Sequence, residues 1–225
     1  MIDIHVHILP GMDDGPSTME EALEMARVAV LNGIGTIVAT PHCLNGVYDN
    51  WRDDILSACA ELNAELAGCD IPLTVLPGSE VRLSPEITDA LASGRLMTMN
   101  DKGRYISLEL PEQFIPEATI NFINHLRNMN ITPIISHPER NPAIQHNIEL
   151  LRDIVGAGAL SQITAGSLTG GFGEKALKCC LQITDQRLAH FMASDAHSAG
   201  RRPPLLDTPG NQMIALIRNA SRVLN

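Results

Sequence analysis

The sequence predicts an α/β fold in which parallel strands alternate with helices and close into a small, irregular barrel. Three observations predict it. Short β-branched apolar runs recur seven times in 225 residues, helical patterns with their own start and stop residues lie between most of them, and no Pro- or Gly-rich linker divides the chain. Strands alternating with helices pair in parallel through right-handed crossovers. A doubly wound open sheet is the competing architecture, but seven units in so short a chain suit a barrel better, so a single domain spanning 1–225 is expected.

The elements follow in order. Ile2–Val6 is the first strand; alternate side chains share a face, so Ile2, Ile4 and Val6 are expected on one side and Asp3, His5 and His7 on the other. Ser17-Thr18-Met19-Glu20 has the form of a capping box. Ala22, Leu23, Ala26, Val30 and Leu31 then recur at helical spacing until Asn32-Gly33 stops the helix. Thr36–Ala39 is the second strand, and 53–66 the second helix, with Ile55, Leu56, Ala60, Leu62 and Leu66 on its apolar stripe ahead of Gly68. Strands at 73–76, 105–110, 132–136, 160–164 and 189–193 complete the set, with helices expected at 84–93, 116–129, 144–155 and 174–185.

Composition narrows the function classes. The net charge is −10, with three lysines (Lys102, Lys175, Lys178), a field unsuited to nucleic acid. A phosphate site remains open if bound cations reverse the local sign. Five cysteines, an odd number with no CxxC pair, imply reduced thiols and a cytoplasmic setting. Asp3, His5 and His7 make the N-terminus unlike a signal peptide, and no run of 18 uncharged apolar residues offers a transmembrane segment.

The chemistry collects at strand ends. His5, His7 and Asp14 follow the first strand, His42 the second, Glu80 the third, Glu109 the fourth, His137, Glu139 and Arg140 the fifth, and Asp195, His197, Arg201 and Arg202 the seventh. The sixth strand runs into "QITAGSLTGG", read as small and hydroxyl residues only. Parallel α/β barrels build their sites at this carboxyl edge. Each residue alone has a bland reading: Asp13-Asp14-Gly15 makes a turn, and His125, His146 and His190 belong to surface or core. Nine imidazoles and carboxylates on one rim (His5, His7, Asp14, His42, Glu80, Glu109, His137, Asp195, His197) are better read as ligands for two or three divalent ions. Nitrogen and carboxylate donors without thiolates suit manganese, iron or zinc. Closely spaced cations acidify water and neutralise phosphoryl oxygens, and Arg140 with Arg201 or Arg202 could grip a phosphate through planar paired donors. Cys43 lacks the CxxxxxR loop that a cysteine phosphatase needs.

At these residues the chain resembles the polymerase-and-histidinol-phosphatase (PHP) superfamily: "DIHVHILPGMDDGP", "TPH", "GSEV", "SLEL", "SHPER" and "SDAHS" match its motifs in order. "HILPGMDDGP", "SHPERN", "AGSLTGGFG" and "DAHSAGRRPP" are similar, more narrowly, to bacterial PHP-type protein tyrosine phosphatases of capsular and exopolysaccharide operons. The resemblance runs from residue 1 to about 205 and implies a distorted, TIM-like (β/α)7 barrel with a trinuclear, usually manganese-supported site. It implies one ion on His5, His7, Glu80 and Asp195, a second on Glu80, Glu109 and His137, and a third on Asp14, His42 and His197. It implies that Arg140 and Arg202 contact phosphate, and that the substrate is phosphotyrosine in the tail of a cognate bacterial tyrosine autokinase controlling polysaccharide export. Thr164 stands where the family often has Asn. Competing expectations are a small-molecule phosphatase such as one for histidinol phosphate, a two-metal amidohydrolase, which commonly needs a strand-end lysine this chain lacks, and a metal-binding regulatory module without turnover.

Overall fold

The computed structural model describes residues 1–206 and 211–224. The strands are β1 (Ile2–Val6), β2 (Thr36–Ala39), β3 (His42–Cys43), β4 (Thr74–Pro77), β5 (Glu80–Arg82), β6 (Tyr105–Glu109), β7 (Thr132–Ser136), β8 (Leu160–Thr164) and β9 (Phe191–Ala193). The helices are α1 (Met19–Leu31), α2 (Arg52–Gly68), α3 (Ile87–Ala92), α4 (Thr119–Asn128), α5 (Pro142–His146), α6 (Glu149–Gly156), α7 (Ala165–Leu168), α8 (Glu174–Asp185), α9 (Asn211–Asn219) and α10 (Ser221–Leu224). None of them among the described residues is long and apolar enough to cross a membrane.

All seven expected strands form, and every pairing is parallel. The second and third, however, are each broken in two, as β2/β3 and β4/β5. Gly78 marks one break: a Cβ there would sit 2.7 Å from Val38 Cγ1 and 3.0 Å from the Ala39 carbonyl, so only glycine allows so close an approach. The hydrogen-bonded order is consequently β1-β2-β4 in one sheet and β3-β5-β6-β7-β8-β9 in the other. A parallel bridge between Val6 and Ala196, with Asp195 N–H donating to His5 O at 2.9 Å, brings the end of β9 back to β1. The ladder is thus an interrupted circuit of seven strand positions rather than a continuous cylinder.

Two local expectations shift. Thr18, not Ser17, caps α1, accepting from Glu21 N–H at 3.3 Å, while Glu21 Oε2 accepts from the backbone N–H and hydroxyl of Ser17 at 2.7 and 2.8 Å. The box therefore sits one residue later than its sequence pattern suggests. The expected 144–155 helix is two helices, because Asn147 is extended (φ −142°, ψ 97°) and its side chain accepts from Glu149 N–H at 3.2 Å, starting α6 afresh.

The apolar core forms a large cluster between helices and sheet and a smaller one holding Ile4, Val38, Ile134 and Phe191. Simple alternation along β1 fails here. Its register against β2 slips between Asp3 and Val6, so one extra residue bulges, and Val6 joins the large cluster while Ile4 joins the small one. Bulges re-aim side chains beside functional sites, and this one lies at His5.

Candidate metal centre

Asp3, His5, His7, Glu80 and Asp195 are all buried. Burying so many ionisable groups is costly unless they compensate one another or hold a cation. Glu80 is the hub. Its Oε2 lies 3.3 Å from His5 Nε2, 3.5 Å from His7 Nε2 and 3.2 Å from His42 Nδ1, while Oε1 lies 2.7 Å from His137 Nε2. Asp195 Oδ1 approaches His5 Nε2 and His7 Nε2 at 3.4 and 3.6 Å, and Asp14 Oδ1 approaches His42 Nε2 and His197 Nε2 at 3.5 and 3.3 Å. Three sets of donor atoms each fall within 4.8 Å of one another: His5, His7 and Glu80; His7, Asp14, His42 and His197; and His42, Glu80 and Glu109. All three differ from the expected groupings: the first lacks Asp195, the second adds His7, and in the third His42 takes the place of His137, which instead hydrogen-bonds Glu80.

These residues fit a cation. Glu80 Oε2 and His42 Nδ1 are buried without an aligned hydrogen bond, although ring nitrogens surround that oxygen. A divalent ion shared among them would satisfy all of these lone pairs at once.

Protonation states divide the site. Burial, then the charge on His7, lowers His42 and His197 below the ordinary imidazole value; burial and Arg140 push His137 down to about 4. These three rings are neutral at pH 7, the form that ligates metal. Burial opposes charge on His5 and His7 as well, but Glu80 and Asp195 outweigh it for His5, and Asp13 and Glu80 for His7, so both are raised. The hydrogen bond from His197 holds Asp14 well below the carboxylate range. Burial and the charge of Glu80 push Glu109 up to about 7 against the pull of Arg82.

The arginines lie at the same place. Arg140 Nη2 and Arg202 Nη2 each donate to Asp195 Oδ2 at 2.7 Å, and both line a cavity of about 250 Å³ together with Glu80, Glu109, His137 and His197. Arg202 is the member of its pair that faces inward; Arg201 is exposed. His137 and Asp195 adopt left-handed backbone conformations, φ 34° and 54°, strain of the kind that accumulates at functional sites. His125 and His146 are exposed, and His190 packs against Ser161, as the bland reading expects. Cys43 is buried and its thiol pushed up to about 12, which disqualifies it as a nucleophile.

Several residues that orient this site are not assigned by the sequence reading. Asp13 Oδ2 meets His7 Nδ1 at 2.5 Å and accepts from His42 N–H at 3.1 Å. Gln162 Oε1 meets His5 Nδ1 at 2.8 Å, so the sixth strand delivers more than small and hydroxyl residues. Because Gln162 Nε2 donates to Ile163 O at 2.8 Å, its carbonyl must face the imidazole. Arg82 Nε donates to Glu109 Oε2 at 2.8 Å. Gly15 completes the turn, since a Cβ there would lie 2.5 Å from His7 O.

Comparison with known proteins places this geometry among relatives. The family described as "Capsular polysaccharide synthesis, CpsB/CapC" matches residues 1–218. The chain is 46% identical over 202 residues to tyrosine-protein phosphatase YwqE of Bacillus subtilis, covering 90% of this chain and 79% of that protein. It is 41% identical over 208 residues to a putative tyrosine-protein phosphatase CapC of Staphylococcus aureus, covering 92% of this chain and 80% of that protein. A crystal structure from work on YwqE of Bacillus subtilis and CpsB of Streptococcus pneumoniae, described there as metal-dependent tyrosine phosphatases, superposes with a TM-score of 0.94 at 42% identity, covering 100% of this chain and 94% of that one.

Proposed function

The chain belongs to the CpsB/CapC capsular polysaccharide synthesis family, and from that premise we propose that it is a metal-dependent protein-tyrosine phosphatase acting, as one domain in the cytoplasm, on a cognate bacterial tyrosine kinase. The observation that carries this reading is the convergence on Glu80 and Asp195: imidazoles and carboxylates gather on one side, and two guanidiniums meet Asp195 Oδ2 on the other. His5, His7, Glu80 and Asp195 would hold one cation, Asp14, His42 and His197 another, and Glu80, Glu109 and His137 a third. Manganese is the proposed metal.

Bound divalent cations supply an acidified water and positive charge beside the phosphoryl oxygens. The chain does the rest. Arg140 and Arg202, about one-fifth and one-third exposed at the cavity, offer planar donors to the non-bridging oxygens. Asp13 and Gln162 hold the His7 and His5 rings so that each keeps Nε2 directed at Glu80 and Asp195. The histidines that line the cavity, His42, His137 and His197, all belong to the proposed ligand set, which leaves no free imidazole to protonate a leaving group. That suits an aryl ester, whose phenolate has a parent pKa of ~10, better than an alkyl one.

The test is hydrolysis of a chromogenic aryl phosphate by protein stripped with chelator and by protein reloaded with manganese, alongside phosphotyrosyl peptide and histidinol phosphate. Turnover that needs manganese and favours the peptide supports the reading. Preference for histidinol phosphate, or no turnover at full metal content, rejects it.

A further inference from the structure

The loop after β8 carries "AGSLTGGFG", yet it delivers no imidazole or carboxylate to the rim. Its contacts lead to the arginines instead, directly and through Glu139. The Phe172 ring centroid lies 4.6 Å from the Arg140 guanidinium carbon and 5.6 Å from that of Arg202. Two cations arriving from different loops therefore share one aromatic ring, a favourable electrostatic arrangement. The backbone beneath Arg140 is tied to the same segment. Glu139, fully buried, accepts at Oε1 from Thr164 N–H at 2.9 Å and from the Ser167 hydroxyl at 2.7 Å. Gly171 N–H donates to Gly166 O at 2.9 Å, folding the loop back on itself. A Cβ on Gly166 would come within 3.2 Å of the Phe172 ring, so the missing side chain leaves the ring its place.

We propose that 164–173 is an arginine-positioning element and that Phe172 is a positioning residue, holding Arg140 and Arg202 as a preassembled pair for the phosphate. This rests on the reading that those two arginines bind the phosphoryl group. Both arginines already donate to Asp195 Oδ2; the ring is a second restraint on both, so that exchanging that carboxylate for a phosphate needs little reorganisation.

The experiment uses manganese-loaded enzyme and reads the inhibition constant of inorganic phosphate, KM and kcat for an aryl phosphate, and manganese content, in Phe172→Leu, Phe172→Trp, Arg140→Ala and Arg202→Ala. Leucine keeps an apolar side chain without a π face; tryptophan restores one. Phe172→Leu should raise the phosphate inhibition constant and KM roughly three- to tenfold, with kcat within about twofold and manganese content unchanged, and Phe172→Trp should recover most of the loss. Phosphate inhibition unaltered in Phe172→Leu but weakened in both arginine variants overturns the inference while leaving the arginine reading intact. Equal losses in the leucine and tryptophan variants also overturn it, because packing and not the ring face would then be at work. Phosphate inhibition unaltered in the arginine variants removes the reading beneath it, and the inference with it.

Discussion

Replacing Gln162 with methionine is the sharpest test of how the chain holds its imidazoles. Gln162 is 1% exposed, as is His5, and its Oε1 is the partner of His5 Nδ1 at 2.8 Å. Methionine fills similar space without an acceptor. The ring must then either keep its Nδ1 proton buried and unpaired or move that proton to Nε2, the nitrogen that faces Glu80 and Asp195. Leaving a buried donor unsatisfied costs about 1–3 kcal/mol, and at ~1.4 kcal/mol per decade that is a loss of roughly 5- to 150-fold in affinity for the cation nearest His5. Removal of an orienting partner from a ligating histidine commonly lowers metal affinity about 10- to 100-fold, which falls inside that interval. Calorimetric titration of chelator-stripped protein with manganese measures it directly, and circular dichroism checks that the variant is folded. A folded Gln162→Met protein whose weakest and tightest manganese affinities both stay within about twofold of the parent would refute the reasoning.

Other outcomes follow from the same geometry. His42→Ala or His197→Ala removes a donor from the set around Asp14 and should abolish aryl phosphate turnover while the circular dichroism spectrum stays unchanged; wild-type rates at full manganese content would contradict the assignment. Metal-free protein should lose stability as the pH rises above ~6.5, because the folded values of His5 and His7 are raised and the stability they contribute is present in full below that point and lost through their folded pKa. His42, His137 and His197, whose folded values are lowered, act in the opposite sense below that point, adding stability as the pH rises to ~6.5, and that gain is largely complete once the pH has passed it. Cations displace the same protons, so manganese affinity should climb over that range; a thermal midpoint that rises with pH in metal-free protein counts against this. Gly15→Ala drives a Cβ to 2.5 Å from His7 O and should lower stability by about 1–3 kcal/mol, read by denaturant titration, with manganese affinity falling alongside as Asp14 is displaced.

The sequence is legible wherever a residue's role depends on its own place along a strand. Carboxyl ends collect the site in any parallel α/β barrel, so His42, Glu80, Glu109 and Asp195 stand out from chain order alone. Roles that depend on a distant partner leave no such trace. Gln162 acts through His5, 157 residues away, and looks like one polar residue in a strand. Arg82 acts through Glu109 and Phe172 through Arg140 and Arg202, and each reads as ordinary surface until the loops meet. The bulge in β1 is hidden for a different reason. Period-two alternation predicts a face only while the register is unbroken, and the slip between Asp3 and Val6 shows only in the pairing with β2. The signal that could have pointed to it is Asp3 itself, an acid among apolar neighbours whose Oδ1 accepts both His5 N–H and Ser194 N–H at 3.3 and 3.1 Å.

Asp195 explains why the two halves of the site cannot be understood apart. Its Oδ1 faces His5, His7 and His197, and its Oδ2 takes one nitrogen from each of Arg140 and Arg202. One carboxylate is therefore shared between the groups proposed to hold cations and those proposed to hold phosphate. Its left-handed backbone, φ 54°, accompanies this double duty: Asp195 N–H is spent on His5 O to bring β9 against β1, while Asp195 O accepts from Arg202 Nη2 at 3.0 Å. The strain is borne where the fold closes, and closure of the fold is what assembles the site.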